Sequence, residues 1–313
     1  MKGNARRHRG FVLVSVLWMS ALLIGFLALI SQNAQTNAGV AMAISSNRAD
    51  DLAIQSATAM IRKGLIDWKK LGGEFDIGSV REAILTQPEW PRGLDFVIIP
   101  NNSKINLKYL TQSNMRSILE NRKNVDAGEI DGLIQAWTDW IDADDNAMPQ
   151  GAERDYYTDM GMQNMPANNF FQVSSELLFV RGYKEAFSDI DVNAVFTVYG
   201  KHQGVDFNSA SRETLQLIPG MTDETIELIL TSRKTLDLSK RSELSLLLDA
   251  AVFLEVRSWI SENNADRIYT LAVFPKSPDT PEYAYMEDIE FDPFWTGATT
   301  LSVKPLARID LKP

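Results

Sequence analysis

The segment Trp137–Tyr157, WTDWIDADDNAMPQGAERDYY, carries the side chains best spaced for chemistry. With Asp142 as the first position of a twelve-residue calcium loop, Asp144, Asn146, Gln150 and Glu153 fall at the positions that supply oxygen ligands. Asp139, Asp145, Asp155 and Asp159 are further donors. The position that wants Gly for a sharp turn is Ala147, so the match is incomplete. Calcium suits such a set because it takes six to eight oxygens in flexible geometry, whereas zinc wants His or Cys. The same residues also fit a solvated loop whose acids cap two helices, with Glu153 opening the second. Spacing alone does not separate the two readings.

Other chemistry is sparse. The chain has no cysteine and two histidines, His8 and His202, which rules out thiolate catalysis, disulfides and a His-rich zinc site. No G-x-S-x-G, HExxH, Walker A or G-x-G-x-x-G run occurs. His202 reads as a polar residue in a connection, and the tryptophans as packing anchors. The chain reads as a non-enzyme.

These residues must be held by the elements around them. Phe11–Ile30 is an uncharged apolar run long enough to cross a bilayer as a helix. Lys2, Arg6, Arg7 and Arg9 precede it and no Lys or Arg follows before Arg48, so the N-terminus stays cytoplasmic and the bulk is exported. The helix is expected to continue to about residue 70 and to stop at Gly72-Gly73. The net charge of -10 hides an asymmetry: residues 31–313 hold 27 basic and 41 acidic residues, a net -14. That part should repel nucleic acid and attract divalent cations.

Leu94–Pro100 and Lys104–Leu107 flank Asn101-Asn102 and read as a β-hairpin. Residues 111–186 are helix- and turn-rich, Val192–Tyr199 is strand-like, and 208–257 is helical again. Arg267–Phe274 and Thr300–Ile309 are candidate closing strands around a long loop, Pro275–Gly297. Asn208–Arg233 reads as two short helices about Pro219-Gly220-Met221, capped by Ser209 or Ser211 and by Thr222 or Asp223. This pattern resembles a helix-hairpin-helix. Asp223, Glu224 and Glu227 argue against phosphate contact there, so no nucleic-acid partner is expected.

The junction Arg9-Gly10-Phe11 resembles the prepilin-peptidase site of type IV pilin-like proteins, which are cut after Gly, N-methylated and left with their apolar helix. Ser15 stands where such proteins usually carry a Glu, a departure typical of the K component of type II secretion systems. The run W-x-D-W-I-D-A-D, then Gly151-Ala152-Glu153, Tyr156-Tyr157, Asn168-Asn169 and Ser174-Ser175-Glu176-Leu177 is similar to the helical insert of that K pseudopilin family. The resemblance implies an α+β fold in which a long N-terminal helix packs on a small antiparallel sheet and a large helical domain, including the helix-hairpin-helix, is inserted between strands.

The domains expected are a cleaved leader (1–10), a transmembrane segment (11–30) continuing to about 70, and a head from 71–110, 191–201 and 266–313. A helical insert (111–190) and a helix-hairpin-helix region (202–257) complete the chain. The resemblance further implies a structural calcium ion held by Asp142, Asp144 and Glu153, with Asp145, Asn146 and Asp155 as weaker ligands. It also implies a single-pass inner-membrane protein with its C-terminal part in the periplasm, a substrate of the prepilin peptidase, and assembly with the I and J components at the pseudopilus tip. A minor pilin of a type IV pilus and a membrane-anchored periplasmic hydrolase are the alternatives.

Overall fold

The structure, a computed structural model, describes residues 50–71, 77–261, 267–276 and 283–308. The apolar run Phe11–Ile30, the Gly10-Phe11 junction and Gly72-Gly73 lie outside these. Among the described residues no helix is long and apolar enough to cross a membrane. The chain divides into two units, residues 1–56 and 57–313. Of the first, residues 50–56 are described, and they are helical.

Helix α1 (residues 50–70) brings the expected helical character into the second unit. There Ala57, Ile61 and Leu65, one turn apart, are fully buried. α2 (Ile77–Leu85) buries Val80 and Ile84 and leads into a four-stranded antiparallel sheet. The strands are β1 (Leu94–Pro100), β4 (Ile268–Pro275), β5 (Tyr283–Phe291) and β6 (Ala298–Arg308), in the order β1-β4-β5-β6. Successive cross-strand pairs Leu271↔Glu287 and Thr270↔Asp288 face opposite sides. On the first side Arg62 of α1 pairs with Glu287 and donates to Thr300 Oγ1 at 2.8 Å. On the second, Ala272, Phe274, Ala284 and Met286 form a small apolar cluster with Val97.

That second side also receives Lys104. This lysine is 2% exposed, and its Nζ donates to Thr270 Oγ1 at 2.8 Å and to the Asn193 carbonyl at 2.9 Å. Asp288 accepts from Thr270 Oγ1 at 2.6 Å and Ser302 Oγ at 2.5 Å, with Lys304 Nζ at 3.4 Å. Burial pushes the Lys104 ammonium down to about 8, against the pull of Asp288. Burial alone would raise Asp288, yet Lys104, Lys304, Ser302 and Thr270 together hold its carboxyl below the ordinary range. A buried ionic cluster therefore joins the sheet to the start of the helical region.

The expected hairpin around Asn101-Asn102 does not form. β1 pairs with β4, and the chain leaves it through a 3-10 turn, Asn101–Ser103. β2 (Ile105–Asn106) pairs in parallel with β3 (Phe196–Thr197). The asparagines are buried rather than at a turn tip: Asn101 Nδ2 and Asn106 Nδ2 both donate to the Tyr199 carbonyl, at 3.0 and 2.8 Å. The strand expected over Val192–Tyr199 is also shorter. Asp191 accepts from the Asn193 N–H and starts a helical turn, α7 (Val192–Val195), leaving two residues for β3. Within the long loop expected over Pro275–Gly297, Tyr283–Phe291 form an inner strand of the sheet, β5.

Between β1 and β4 the helices are α3 (Gln112–Glu120), α4 (Ile130–Ile141), α5 (Arg154–Asp159), α6 (Tyr183–Ala186), α7, α8 (Arg212–Gln216), α9 (Asp223–Ser232), α10 (Arg241–Leu247) and α11 (Ala250–Val256). Their core is one continuous cluster from Ile105 to Ile260 and includes Trp137, Trp140 and Trp259. A Thr111–Asn114 capping box starts α3. Ser211 and Thr222 cap α8 and α9 by accepting from the Thr214 and Thr225 N–H groups, and Gly220, at φ +80°, turns the chain between them.

The helical region is closed where Val205 N donates to the Trp259 carbonyl and Ser261 N to the Val205 carbonyl. Gly204 allows this approach, since a Cβ there would stand 2.7 Å from the Ile260 carbonyl carbon and 2.8 Å from Trp259 O. Backbone cannot move aside as a side chain can. Gly204→Ala is therefore expected to cost about 2 kcal/mol, read as a lower urea midpoint. An unchanged midpoint would show that the two segments separate freely.

Candidate functional site

The acidic loop is built on α4, whose buried face carries Ile130, Leu133, Ile134, Trp137 and Trp140. Trp140 packs edge-on against Tyr157 of α5, with ring centroids 5.2 Å apart. These contacts hold together the two helices that flank residues 142–153. Asp139, also on α4, is fully buried and accepts from the Met148 N–H at 3.1 Å. It lies directly beneath Gly151, where a Cβ would fall 1.8 Å from Asp139 Oδ2. The Gly151-Ala152-Glu153 run thus has a steric reason: only glycine lets the loop pass over the carboxylate.

The loop is tied from behind as well. Gln135 Oε1 accepts from the Gln150 N–H at 2.7 Å. The Arg181 guanidinium donates to the carbonyls of Gly132 and Gly151, each at 3.1 Å, and to that of Gln150. Arg181 also stacks over Tyr156, and its N–H donates to Tyr157 Oη at 3.1 Å. Burial pushes the Tyr157 phenol up to about 12, so it stays protonated.

Asp142 ends α4, its N–H donating to the Thr138 carbonyl. Its Oδ1 is buried and has no hydrogen-bond partner. Glu153 occupies the N-cap position of α5 but makes no capping hydrogen bond. It is 3% exposed, and both Oε1 and Oε2 are buried without a partner. Asn168 adopts a left-handed conformation at φ 48°, which asparagine tolerates better than most residues. Its Nδ2 donates at 3.0 Å to both the Asp144 carbonyl and Asp145 Oδ1, while its Oδ1 is buried and unpartnered.

All four orphaned atoms are acceptors. Burying acceptors without donors costs free energy, and carboxylates cost most. Burial, then Asp139 and Asp142, push the Glu153 carboxyl up to about 7. Burial, then Asp144 and Asp139, raise Asp142, and burial first of all raises Asp139. A cation with oxygen preference would satisfy these atoms and relieve their mutual repulsion, which is the fit expected of calcium. Among the described residues no group of three or more His, Cys, Asp or Glu forms a ready-made metal cluster. Glu153 and Asp142 are electrostatically coupled, and Asn168 is tied to the same loop through Asp144 and Asp145.

The other sequence candidates stand differently. Asp144 Oδ1 is engaged by Asn146, through its N–H at 2.8 Å and its Nδ2 at 2.7 Å, and both residues are exposed. Asp145 is exposed and lies 3.8 Å from Arg154 Nε. Asp155 is exposed in the first turn of α5. The Gln150 backbone is fixed by Gln135 and Arg181. Loop spacing did not point to Asn168 or Arg181. The Asn168-Asn169 pair was the one visible trace of the former. His202 is buried with Nε2 3.2 Å from the Lys104 carbonyl, in keeping with a packing role.

Residues 103–189, which contain this site, match the family described as Type II secretion system (T2SS), protein K. The fold is similar to one in the crystal structure of the GspK-GspI-GspJ complex from the enterotoxigenic Escherichia coli type 2 secretion system. The TM-score is 0.58 at 14% identity, over 83% of this chain and 98% of that one, a likeness of fold. No curated protein matches the chain. The family match covers the acidic run and its flanking motifs and bears out the resemblance drawn from them, and the structural match bears out the fold.

Proposed function

We infer that this chain, with the protein K signature over residues 103–189, is the K-type minor pseudopilin of a type II secretion system and works at the pseudopilus tip. The observation that carries this reading is that signature, set in a sheet-plus-helical fold like that of GspK. Its role is organisational rather than catalytic. Phe11–Ile30 holds the chain in the inner membrane after the prepilin peptidase cuts behind Gly10 and Phe11 is N-methylated, and the remainder folds in the periplasm.

A buried carboxylate in lipid needs a partner. Ser15 removes that need, so the subunit does not require a neighbour above it. The helical region between β1 and β4, with its α8–α9 helix-hairpin-helix, gives a head too bulky to repeat along a thin filament. I- and J-type minor pseudopilins, the companions of GspK in the solved complex, are the partners.

Glu153, Asp142 and Asn168 are the residues that would hold calcium, with Asp139 beneath them and Asp144, Asp145, Asn146 and Asp155 around the rim. Bound there, the ion supplies charge neutralisation and a cross-link between the 142–153 loop and Asn168. The chain's own contribution is to keep both segments in place through Arg181, Gln135 and Asp139.

Co-expression with a prepilin peptidase and I- and J-type pseudopilins tests the assignment. The expected result is a co-purifying ternary complex in which intact mass shows this chain lacking residues 1–10 and carrying one added methyl. A chain that remains uncut and elutes alone would return the anchored-hydrolase alternative to first place.

A further inference from the structure

A cavity of about 400 Å³ lies between the first turns of α4 and the start of α6. Val125 and Leu133 give it an apolar lining, and Gln150 and Arg181 form one wall. Glu129 and Glu185 also line it and are exposed. Gly132 keeps the space open, since a Cβ there would stand 3.2 Å from Arg181 Nη2 and 3.6 Å from the Gln150 carbonyl.

The charges in this groove do not balance. Arg181 is engaged by three backbone carbonyls and covered by the Tyr156 ring. Among the described residues Glu129 and Glu185 have no ion pair and no side-chain hydrogen bond. Two unpaired carboxylates beside an apolar lining suit an elongated cation. Its stem would run along Val125 and Leu133 while its head meets the acids.

We propose that this groove is a docking site for a Lys or Arg side chain projecting from a partner protein. The net -14 of residues 31–313 steers basic surfaces toward it. None of Asp142, Glu153 and Asn168 lines the groove, so the proposal stands apart from the ion reading and from the tip assignment.

Ligand-observed saturation-transfer NMR on the full chain in detergent micelles tests it, with N-acetyl-arginine amide as probe and its neutral isostere N-acetyl-citrulline amide as control. The arginine probe is expected to bind in the millimolar range and the citrulline probe to give little transfer. In Glu129→Gln/Glu185→Gln the arginine affinity should fall about fivefold, the sum of two modest charge contacts. Glu224→Gln/Glu243→Gln, on an exposed position of α9 and a half-buried one of α10, should leave it unchanged. Equal transfer from citrulline, wild-type affinity in the groove variant, or an equal loss in the control variant would each overturn the proposal.

Discussion

Lys104→Ala is expected to destabilise the folded head by about 3 kcal/mol, because removing a buried ammonium takes away one of the two cations whose charge offsets the buried Asp288 carboxylate. The loss sits at the low end of the usual range because Lys304, 3.4 Å from Asp288, keeps part of the pairing. The variant also removes the ammonium donor from the Asn193 carbonyl and from Thr270 Oγ1, which keeps its own hydrogen bond to Asp288. Chemical denaturation of wild type and variant at pH 7 measures the difference directly.

Its pH dependence has a definite sign. The Lys104 ammonium is depressed to about 8 in the folded chain from an ordinary 10.5. Between these values the unfolded chain holds a proton that the folded chain has released, so this group's contribution to stability rises with pH. Below pH 8 its cost is fully present. The wild type should therefore gain on the variant between pH 8 and about 10. A variant as stable as wild type at pH 7 would mean that the cluster is solvated and does not join the sheet to the helical region.

Calcium in excess of a chelator is expected to raise stability by about 2.7 kcal/mol when free ion stands at a hundred times its dissociation constant. Glu153→Ala should abolish that gain, and Asp155→Asn, altering an exposed side chain, should leave most of it. Glu153→Gln is the most telling variant. Without ion at pH 8 it should be more stable than wild type, because it removes a buried unpaired charge, yet it should not respond to calcium.

In the ion-free chain Glu153 is raised to about 7 from an ordinary 4.5. Its contribution is fully present below pH 4.5 and lost as pH rises through 7. Calcium must displace that proton, so its effect should be small at pH 5 and large at pH 8. Scanning calorimetry at both pH values reads it. A Glu153→Ala variant that responds to calcium as wild type does would remove Glu153 from the ligand set.

Local features of the chain were readable where their causes are local. The acidic loop, the caps at Ser211 and Thr222 and the helical character of residues 50–70 follow from propensity, capping chemistry and spacing. β5 was not readable because Glu287 and Asp288 in YAYMEDIEF look like loop residues until Arg62 and Lys104 are seen beside them. Those partners are remote in sequence, and nothing near β5 announces them. The supposed hairpin at Asn101-Asn102 failed for the same reason: Asn101, with Asn106, serves the Tyr199 carbonyl, which only the tertiary fold brings there.

The site shows the same division. Asp142 and Glu153 came from loop spacing. Asn168 lies beyond α5, and Arg181 lies beyond a 3-10 helix, so no local pattern links them to the acids. Their roles rest on a left-handed turn and on three carbonyls converging on one guanidinium.

The direct pairing of β1 with β4 also bears on when the protein can fold. All of residues 101–267 separate the two strands. At roughly 5–20 residues per second of synthesis, β1 waits about ten seconds or more for the strand that will cover its edge. Closing so long a loop is slow unless the intervening chain has already compacted. The helical region, with its own core from Ile105 to Ile260, is placed to fold first and bring the strands together. Until then β1 is an open edge, and a delay in maturing the helical region becomes an opportunity for aggregation.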